Sequence, residues 1–322
     1  MHMKNAIYVA ESHDCAANLA GEAYLLTLDY DHVLYLWEND PCIVIGRFQN
    51  PFSECNLQKM EEKQVQLVRR HSGGGAVYHD RGNLCFTLIG NKETSSKEEN
   101  FSFLLDALSS LGITCELSGR NDILFQGKKV SGNAFQTTAN KFCHHGTLLI
   151  RSDLSVMSQY LTPSSTKLAS KAVKSVASRV GNLAEARDDI SSDLVQQALI
   201  DAFIQKFGPT DIQTVDFATL EQAQANYRLF GDRSLILENT PQFTHSFTHR
   251  FEWGEVTLHV QVEKGVISEV KLYTDALDTT LATRVANALI GLAYDASTIE
   301  RVQKQIEQAD LASLLAHLIT LI

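Results

Sequence analysis

The spacing of apolar and polar residues predicts a mixed order of strands and helices in the first half of the chain. Runs rich in β-branched and aromatic residues, typical of strands, lie at Ile7 to Val9, Val33 to Trp37, Cys42 to Ile45 and Leu84 to Ile89, with more expected between Ile113 and Ile150. Apolar residues at helical spacing predict helices at Ala16 to Leu28 and Asn100 to Leu111. Gly112 is expected to end the second helix.

The end of the chain has the pattern of a separate small unit. Arg250 to Val262 and Val266 to Tyr273 alternate like two strands, and two or three helices are expected from Leu277 onward. A chain of 322 residues also exceeds the size at which one hydrophobic core usually stops growing. The sequence therefore predicts two domains, at 1–245 and 246–322, the second being a small α+β domain.

Composition and charge narrow the class of protein. A hydrophobic content of 44% and a charged content of 20% are ordinary for a globular chain. The formal charge of −10 disfavours nucleic acid as a general partner, and no apolar window is long enough to predict a membrane span. The cysteines occur singly, which favours buried thiols in a reducing compartment over disulfides or a zinc site; they are Cys15, Cys42, Cys55, Cys85, Cys115 and Cys143. A cytoplasmic protein is expected.

The strongest local signal is the string RRHSGGGAVYHD, which runs from Arg69 to Asp80. Three consecutive glycines let a backbone approach a ligand closely, and their N–H groups can form an anion-binding nest. Arg70 adds a planar fork of donors that suits phosphate or carboxylate oxygens. No Gly-Lys-Ser/Thr follows the glycines and no helix begins there, so a Walker loop is excluded. A glycine-rich hairpin without a ligand is the alternative.

A second cluster pairs a carboxylate with an amine. Asp122 and Lys129 lie on adjacent strand-like segments, and a hairpin would bring them together at one end of a sheet. Asp122 could hold Mg²⁺ together with substrate phosphates, and Lys129 could neutralise charge on a phosphoryl or carbonyl oxygen. The alternative is a surface salt bridge. The paired histidines His144 and His145 lack a metal-binding spacing, so packing is favoured there over a metal.

Together these strings resemble the lipoate-protein ligase family of the biotin/lipoate ligase superfamily. The matching strings are RRHSGGGAVYHDRGN, SGRNDILFQGKKVSGNA and FCHHGTLL, and weaker ones are NLAGEAYLL, IGRFQNPFSECN and RFEWGEVTLHVQVEKG. The resemblance runs through nearly the whole chain. It implies an α+β fold in which a mixed-sheet catalytic domain with flanking helices precedes a small α+β domain.

The resemblance also implies an activity and a set of site residues. ATP would activate free lipoate, with octanoate as an alternative acid, to an acyl-adenylate, and Lys129 would be the catalytic residue. The residues implied to bind ATP or lipoyl-AMP are Arg70, Ser72, Gly74, Gly75, Ala76, Val77, Tyr78, Asn83, Asn121, Asp122, Lys129 and Ala134. Those implied to bind lipoate are His79, Lys129, His145 and Gly146, and Mg²⁺ is expected at Asp122.

The acceptors and a lid follow from the same resemblance. The acyl group would pass to one lysine of a lipoyl domain in a 2-oxoacid dehydrogenase complex or of the glycine-cleavage H protein. Ser, Thr, Lys and Ala dominate residues 162–182, whose apolar periodicity is poor, so this stretch is predicted to be a long mobile loop. In the family, the corresponding loop folds over the adenylate. Neither nucleic acid nor a membrane is expected as a partner.

Three other functions remain as alternatives. An octanoyltransferase of the same fold uses a cysteine four residues before the glycine of the His-Gly pair, where this chain has Phe142. Cys143 is one position away and, on a strand, would point to the opposite face. A biotin-protein ligase would carry a Gly-Arg-Gly-Arg loop, which is absent. A non-catalytic lipoate-binding protein is disfavoured because Arg70, Asp122 and Lys129 are all present.

Overall fold

The described residues of the first part of the chain contain a large β-sheet and a small one. The computed structural model describes residues 4–119, 121–161, 180–237, 245–263 and 265–321. The strands of the first part are Asn5–Ala10 (β1), His32–Glu38 (β2), Cys42–Ile45 (β3), Gln66–Arg69 (β4), Val77–His79 (β5), Asn83–Asn91 (β6), Glu116–Ser118 (β7), Asp122–Phe125 (β8), Lys128–Thr137 (β9), Lys141–Leu149 (β10) and Ile212–Val215 (β11). Eight of them form one sheet in the order β11-β1-β2-β6-β10-β9-β8-β7.

The large sheet is mixed because its two halves pair differently. Strand β1 is parallel to both β2 and β11, whereas β6 is antiparallel to β2 and to β10. Every residue of β6 except Asn91 is buried, which explains why this segment is apolar almost throughout instead of alternating. The functional strings of β8, β9 and β10 are neighbours in this sheet.

The small sheet contains the two strands that precede and follow the three glycines of the string RRHSGGGAVYHD. Strand β3 lies between β4, to which it is parallel, and β5, to which it is antiparallel. Residues 70–76 connect β4 to β5, so they join two strands on opposite sides of β3. Arg70 therefore directly follows β4, whose Leu67 and Val68 are buried, and His79 is the last residue of β5.

Helices accompany the sheets, and several of them have a clear N-terminal cap. The helices of the first part are Cys15–Leu25 (α1), Pro51–Glu54 (α2), Leu57–Glu62 (α3), Lys97–Ser110 (α4), Leu154–Tyr160 (α5), Ser192–Phe207 (α6), Gln224–Gly231 (α7) and Arg233–Leu237 (α8). Asp14, Ser96 and Ser191 accept hydrogen bonds from the first turns of α1, α4 and α6. Because Ser96 provides a cap, α4 begins three residues before the position that apolar spacing alone predicts.

The chain divides by its contacts into two compact units. Unit 1 comprises Met1–Ile45, Pro51–Ser72 and Ala76–Glu238, and unit 2 comprises Gly46–Asn50, Gly73–Gly75 and Asn239–Ile322. Within unit 2, three antiparallel strands, His245–Phe251 (β12), Gly254–Glu263 (β13) and Val266–Thr274 (β14), are followed by helices Leu281–Leu289 (α9), Ala296–Gln303 (α10) and Ala309–Ile319 (α11). Apolar residues of these strands and helices share one core.

One expectation for the C-terminal segment is wrong. Arg250 to Val262 is not one strand, since β12 ends at Phe251 and β13 begins at Gly254. Phe251 pairs with Gly254, so Glu252 and Trp253 form a two-residue turn. The alternation of Phe251 and Trp253 shifts by one position before Val256, Leu258 and Val260, and this shift marks the turn. The three closing helices confirm the expectation from Leu277 onward.

Most other elements confirm the sequence predictions. Strands occur at each of the four predicted apolar runs, and Gly112, with a φ of 75°, follows the end of α4. Residues 162–179 of the predicted mobile loop lie outside the described residues. Among the helices of the described ranges, none is both long and apolar enough to cross a membrane.

Candidate active site

A hairpin brings Asp122 and Lys129 together, as the sequence predicts. Strands β8 and β9 are joined by Gln126 and Gly127, which have φ values of 49° and 76°, as a tight hairpin turn requires. A register shift between Ile123 and Leu124 accompanies this pairing. Lys129 Nζ lies 2.7 Å from Asp122 Oδ1, and both side chains are about one third exposed (34% and 27%). The ion pair therefore remains accessible to a substrate.

The same ion pair lines a cavity of about 340 Å³. The glycine string contributes Ala76, Val77 and Tyr78 to its wall, and the other lining residues are Asp122, Leu124, Gly127, Lys129, Gly132, Thr147, Leu149, Met157, Leu161 and Val180. Most of the wall is apolar, with one cation, one carboxylate and the hydroxyl-bearing residues Tyr78 and Thr147. Such a lining suits a largely apolar ligand that carries a charged group at one end.

The neighbouring Lys128 has a different partner. Its Nζ lies 2.7 Å from Glu185 Oε2, and this pair is more exposed than the Asp122–Lys129 pair. The backbone of Lys129 accepts a hydrogen bond from the N–H of Gly181 (2.9 Å). The side chains of Lys128 and Lys129 thus lie in different environments, as strand alternation predicts.

A buried chain of hydrogen bonds, called the buried line below, joins Arg70 to Glu22 through Ser72 and His145. Arg70 Nε donates to Ser72 Oγ (3.0 Å), and Ser72 Oγ lies 2.7 Å from His145 Nε2. His145 Nδ1 lies 2.7 Å from Oε2 of Glu22, a residue of α1. All four residues are buried. Burial lowers the pKa of Arg70 to about 10, although the nearby carboxylate of Glu22 opposes this shift.

Glu22 is a charged residue of the core. Burial would raise its pKa, but the charge and hydrogen bond of His145, with a hydrogen bond from Thr87, hold the pKa of Glu22 below its ordinary value. Thr87 Oγ1 donates to Glu22 Oε2 (2.7 Å) and accepts from Trp37 Nε1 (3.3 Å). The carboxylate therefore stays ionised inside the protein.

His79 is buried and its orientation is fixed by two asparagines. Asn18 Nδ2 donates to Asn39 Oδ1 (3.0 Å), so Asn39 must present its N–H to His79 Nδ1 (2.9 Å). The ring proton of a neutral His79 is then on Nε2, which has no hydrogen-bond partner in the described residues. Burial, with the nearby charges of Arg70 and His145, lowers the pKa of His79 to about 3.

This buried histidine should make the unfolding free energy of unit 1 depend on pH. Its pKa rises from about 3 when folded to the ordinary 6.5 when unfolded. The unfolded chain therefore binds one more proton between these values, and stability falls by about 1.4 kcal/mol per pH unit as the pH is lowered. Urea unfolding followed through Trp37, in a Trp253→Phe background, measures the slope between pH 6.5 and 4.

In that measurement, His79→Gln is expected to lower the slope of the unfolding free energy against pH by the equivalent of about one proton. The matched control is Leu104→Ala, which removes buried apolar atoms and should lower stability equally at every pH. A slope that does not change in His79→Gln would contradict the neutral buried state of this ring.

Two buried clusters contain side chains that could in principle ligate a metal ion. Cys15, Cys42 and His79 offer atoms within 4.8 Å of one another. However, a metal on His79 Nε2 would require a proton on Nδ1, where Asn39 already presents its own N–H. In the other cluster, Glu22, Cys143 and His145, both ring nitrogens of His145 take part in the buried line. Neither cluster fits a metal.

The remaining predicted site residues support the strands or the loop. Asn133 Nδ2 donates a hydrogen bond to the Asn121 carbonyl (2.9 Å), and Ala134 follows Asn133 on β9. Gly146 packs so closely that a Cβ would lie 2.5 Å from Asn133 Oδ1. Asn83 is buried at the start of β6. Gly74 has a φ of 95°, which strongly favours glycine, whereas a Cβ on Gly75 would meet nothing within 4 Å.

Eight of the predicted residues fall into two groups. One group lines the cavity, and its members are Ala76, Val77, Tyr78, Asp122 and Lys129. Arg70, Ser72 and His145 lie instead in the buried line, which ends at Glu22, a residue that the sequence interpretation missed. A signal was available, because Glu22 follows Leu19 by three residues and precedes Leu26 by four. A carboxylate on the apolar face of a helix indicates a buried partner.

Comparison with known proteins places the chain in a class of enzymes. Residues 14–204 match the family described as the lipoyl protein ligase A/B catalytic domain, and residues 240–318 match the bacterial lipoate protein ligase C-terminus. The strands that carry Asp122 and Lys129 lie within the segment that matches the catalytic domain. The chain belongs to the lipoate-protein ligase A family, and it is a ligase.

Named relatives and solved structures agree with this assignment. The chain is 40% identical to lipoate-protein ligase A of Psychrobacter cryohalolentis and 36% identical to that of Blochmanniella pennsylvanica, over 91% of this chain and 89% and 90% of theirs. The structure of P. falciparum LipL1 in complex with lipoate is similar, with a TM-score of 0.86, 29% identity and coverage of 98% of this chain and 99% of that one. The predicted α+β fold class is confirmed.

The fold alone is shared with a more distant structure. A bipartite lipoate protein ligase of Thermoplasma acidophilum, described together with its E2 lipoyl domain, has a TM-score of 0.63 and 24% identity, covering 76% of this chain and 100% of that one.

Proposed function

We propose that the protein joins free lipoate to lysine side chains of lipoyl-carrier proteins in two steps. In the first, the lipoate carboxylate attacks the α-phosphorus of ATP, so that pyrophosphate leaves and lipoyl-AMP forms. In the second, a lysine amine attacks the acyl carbon, AMP leaves, and the amine loses a proton as the amide forms. The proposal rests chiefly on one observation, the accessible Asp122–Lys129 pair in the wall of an otherwise apolar cavity.

Lys129 would act directly on the reacting groups. Its ammonium can neutralise charge that develops on the α-phosphate and on the acyl carbonyl, and Asp122 holds the ammonium in place at 2.7 Å. The apolar wall excludes water from an anhydride that hydrolyses readily. The other site residues implied by the resemblance keep the binding roles given above.

Mg²⁺ is proposed as the ion that accompanies ATP. Asp122 is a single carboxylate beside the cavity, which fits an ion that takes one or two protein carboxylates and completes its shell with phosphate and water oxygens. The ion would neutralise phosphate charge. Lys129 already bonds Asp122, so the protein contributes little to binding Mg²⁺ without nucleotide.

The acceptors are proposed to be lipoyl domains of 2-oxoacid dehydrogenase complexes and the glycine-cleavage H protein. The related fold in Thermoplasma acidophilum that is paired with an E2 lipoyl domain supports this class of acceptor. A long, unbranched lysine on a protruding turn can reach a buried acyl-adenylate. We also propose a cytoplasmic location and the domain division at residue 245.

The direct test is the mass of a purified lipoyl domain after incubation with the protein, ATP, Mg²⁺ and lipoate. A mass increase equal to one lipoyl group, dependent on ATP, is expected. An acyl transfer that needs no ATP, with an acyl-carrier donor instead, would favour the octanoyltransferase alternative. Binding of lipoate without any transfer would favour the non-catalytic alternative.

Cys143→Ala is expected to leave ligation within about twofold of the unchanged protein. The Cys143 thiol is 1% exposed, and burial together with the Glu22 carboxylate raises its pKa well above the ordinary value, so it is a poor nucleophile. Initial rates of lipoyl-domain modification measure the effect. Loss of transfer by a folded Cys143→Ala variant, with adenylate formation retained, would point to an acyl-cysteine intermediate.

A further inference from the structure

His144 lies on the opposite face of the large sheet from His145. Successive residues of a strand point to opposite faces, so the two histidines have different surroundings. His145 takes part in the buried line, whereas the ring of His144 is fully buried in an aromatic layer. Its ring contacts, with centroid distances of 4.5 to 5.3 Å, are Phe86 on β6, Phe101 on α4 and Phe135 on β9. A polar ring in so apolar a layer is expected to form a hydrogen bond.

Asn133 is the partner of His144, and its orientation fixes the proton on the ring. Asn133 Nδ2 donates to the Asn121 carbonyl (2.9 Å), which can only accept, so Asn133 Oδ1 must face His144 Nε2 (2.9 Å). An amide oxygen can also only accept, and His144 Nε2 therefore carries a proton. Burial, with the charges of His145 and Lys97, holds the pKa of His144 well below its ordinary value, so the ring is neutral. Its Nδ1 is then unprotonated, and it has no hydrogen-bond partner in the described residues.

Asn133 in turn holds the residue that precedes Asp122. The Asn121 carbonyl accepts from both the backbone N–H (3.1 Å) and the side-chain Nδ2 (2.9 Å) of Asn133. Asn121 Nδ2 donates to the Asn133 carbonyl, so three hydrogen bonds join β9 to the residue before β8. The hairpin turn does not fix this end of β8 by itself, because the register shifts between Ile123 and Leu124. The contact between the two asparagines therefore sets the position of Asp122.

Close packing keeps the Asn133 amide in place. Gly146 lies directly opposite Asn133 in the pairing of β9 with β10. A Cβ on Gly146 would lie 2.5 Å from Asn133 Oδ1 and 2.7 Å from the Phe86 ring, so glycine leaves the room that the amide occupies. Asn133 is itself buried, and loss of the His144 donor would leave an amide oxygen in the core without that donor.

We propose that His144 is a positioning residue for the activation step, acting through Asn133 to hold the segment that carries Asp122. This inference rests on the proposed function, in which Asp122 accompanies Mg²⁺ and the phosphates of ATP. Asp122 pairs with Gly132, which lines the cavity, and strand alternation places the Asn133 side chain on the other face. His144 therefore acts on Asp122 from behind the strand that also carries Lys129.

The test compares His144→Phe with His144→Gln by lipoate-dependent exchange of pyrophosphate into ATP. Phenylalanine keeps an aromatic ring in the layer but removes the donor, whereas glutamine can still donate from its Nε2. His144→Phe is expected to raise the KM for Mg·ATP on the order of 10-fold, because Asn133 loses the donor that orients it. The KM for lipoate should change by less than about twofold, and His144→Gln should restore most of the KM for Mg·ATP.

Phe101→Leu is the matched control for packing. It loosens the same aromatic layer and should lower the free energy of unfolding, but it keeps the His144 donor to Asn133. Its KM for Mg·ATP is expected to equal that of the unchanged protein. An equal rise of this KM in Phe101→Leu would show that the layer acts only through stability, and it would overturn the inference.

Nitrogen NMR of labelled histidines gives a readout of the ring that does not depend on activity. In the unchanged protein, His144, assigned by its loss in His144→Gln, should show a protonated Nε2 and an unprotonated Nδ1. In Asn133→Leu, Nε2 loses its acceptor, so its signal should move and the two tautomers should become mixed. The opposite tautomer in the unchanged protein, or an unaffected signal in Asn133→Leu, would overturn the link between His144 and Asn133.

The outcomes separate this inference from the proposed function. Absence of lipoate-dependent exchange in the unchanged protein would overturn the proposed function and, with it, this role of His144. An active unchanged protein whose His144→Phe variant keeps the KM for Mg·ATP within about twofold, or raises the KM for lipoate equally, would overturn only the inference. If His144→Phe does not fold, Asn133→Ala replaces it, with the same expected rise, since it removes the same link.

Discussion

Lys129→Ala is expected to abolish both formation of lipoyl-AMP and transfer of its acyl group, while the fold remains intact. The ammonium that lies 2.7 Å from Asp122 is the one cation among the described residues lining the cavity. Losing a preorganised charge in a site that excludes water costs about 3 kcal/mol or more of transition-state stabilisation, or a factor above 100 in rate. Pyrophosphate exchange and transfer from synthetic lipoyl-AMP measure the two steps separately.

The adjacent lysine supplies the control. Lys128 carries the same charge one position earlier, but it pairs with Glu185 and does not line the cavity. Lys128→Ala should therefore lose an exposed ion pair of small energetic effect and keep nearly normal turnover. Near-normal rates in Lys129→Ala at saturating ATP, or equal losses in both variants, would contradict the role given to Lys129.

The part of the site that sequence alone predicted depends on local geometry. Asp122 and Lys129 are seven positions apart, and a glycine turn between two apolar runs is enough to predict that a hairpin joins them. Arg70 and Ser72 are two positions apart, so a shared environment could also be anticipated. In both cases the sequence spacing nearly determines the distance in space.

The part that sequence did not predict depends on register across the large sheet. Ser72 and His145 are 73 positions apart, and His145 and Glu22 are 123 apart. Their contact requires α1 and β10 to be brought together by the sheet, which no local pattern specifies. The glycine string and the histidine pair could therefore be identified as separate signals, while their connection through Glu22 could not.

The same distinction explains why the cavity and the buried line were predicted as one site. Ala76 and Ser72 are close in sequence, yet the first lines the cavity and the second is fully buried. A connection between opposite sides of β3 exposes some of its residues and buries others. The motif identifies which residues matter, and the topology decides whether each contacts the ligand or supports a residue that does.

Gly74→Val is expected to abolish binding of lipoyl-AMP. The backbone of Gly74 has a φ of 95°, a conformation in which a β-branched residue is severely strained. Relief of that strain would change the path of the chain between Ser72 and Ala76, and a branched side chain would also block the close approach that the three glycines allow. Calorimetric titration of the folded variant with a stable lipoyl-AMP mimic measures the loss.

Gly112→Ala provides the matched control for backbone strain. Gly112 has a comparable φ of 75° after the end of α4, and a Cβ there would meet nothing within 4 Å. Its substitution should lower the free energy of unfolding by about 1 kcal/mol and leave the affinity for the mimic unchanged. If Gly74→Val binds the mimic as tightly as this control does, the glycine string is only a turn, and the anion-binding role passes entirely to Arg70 and Lys129.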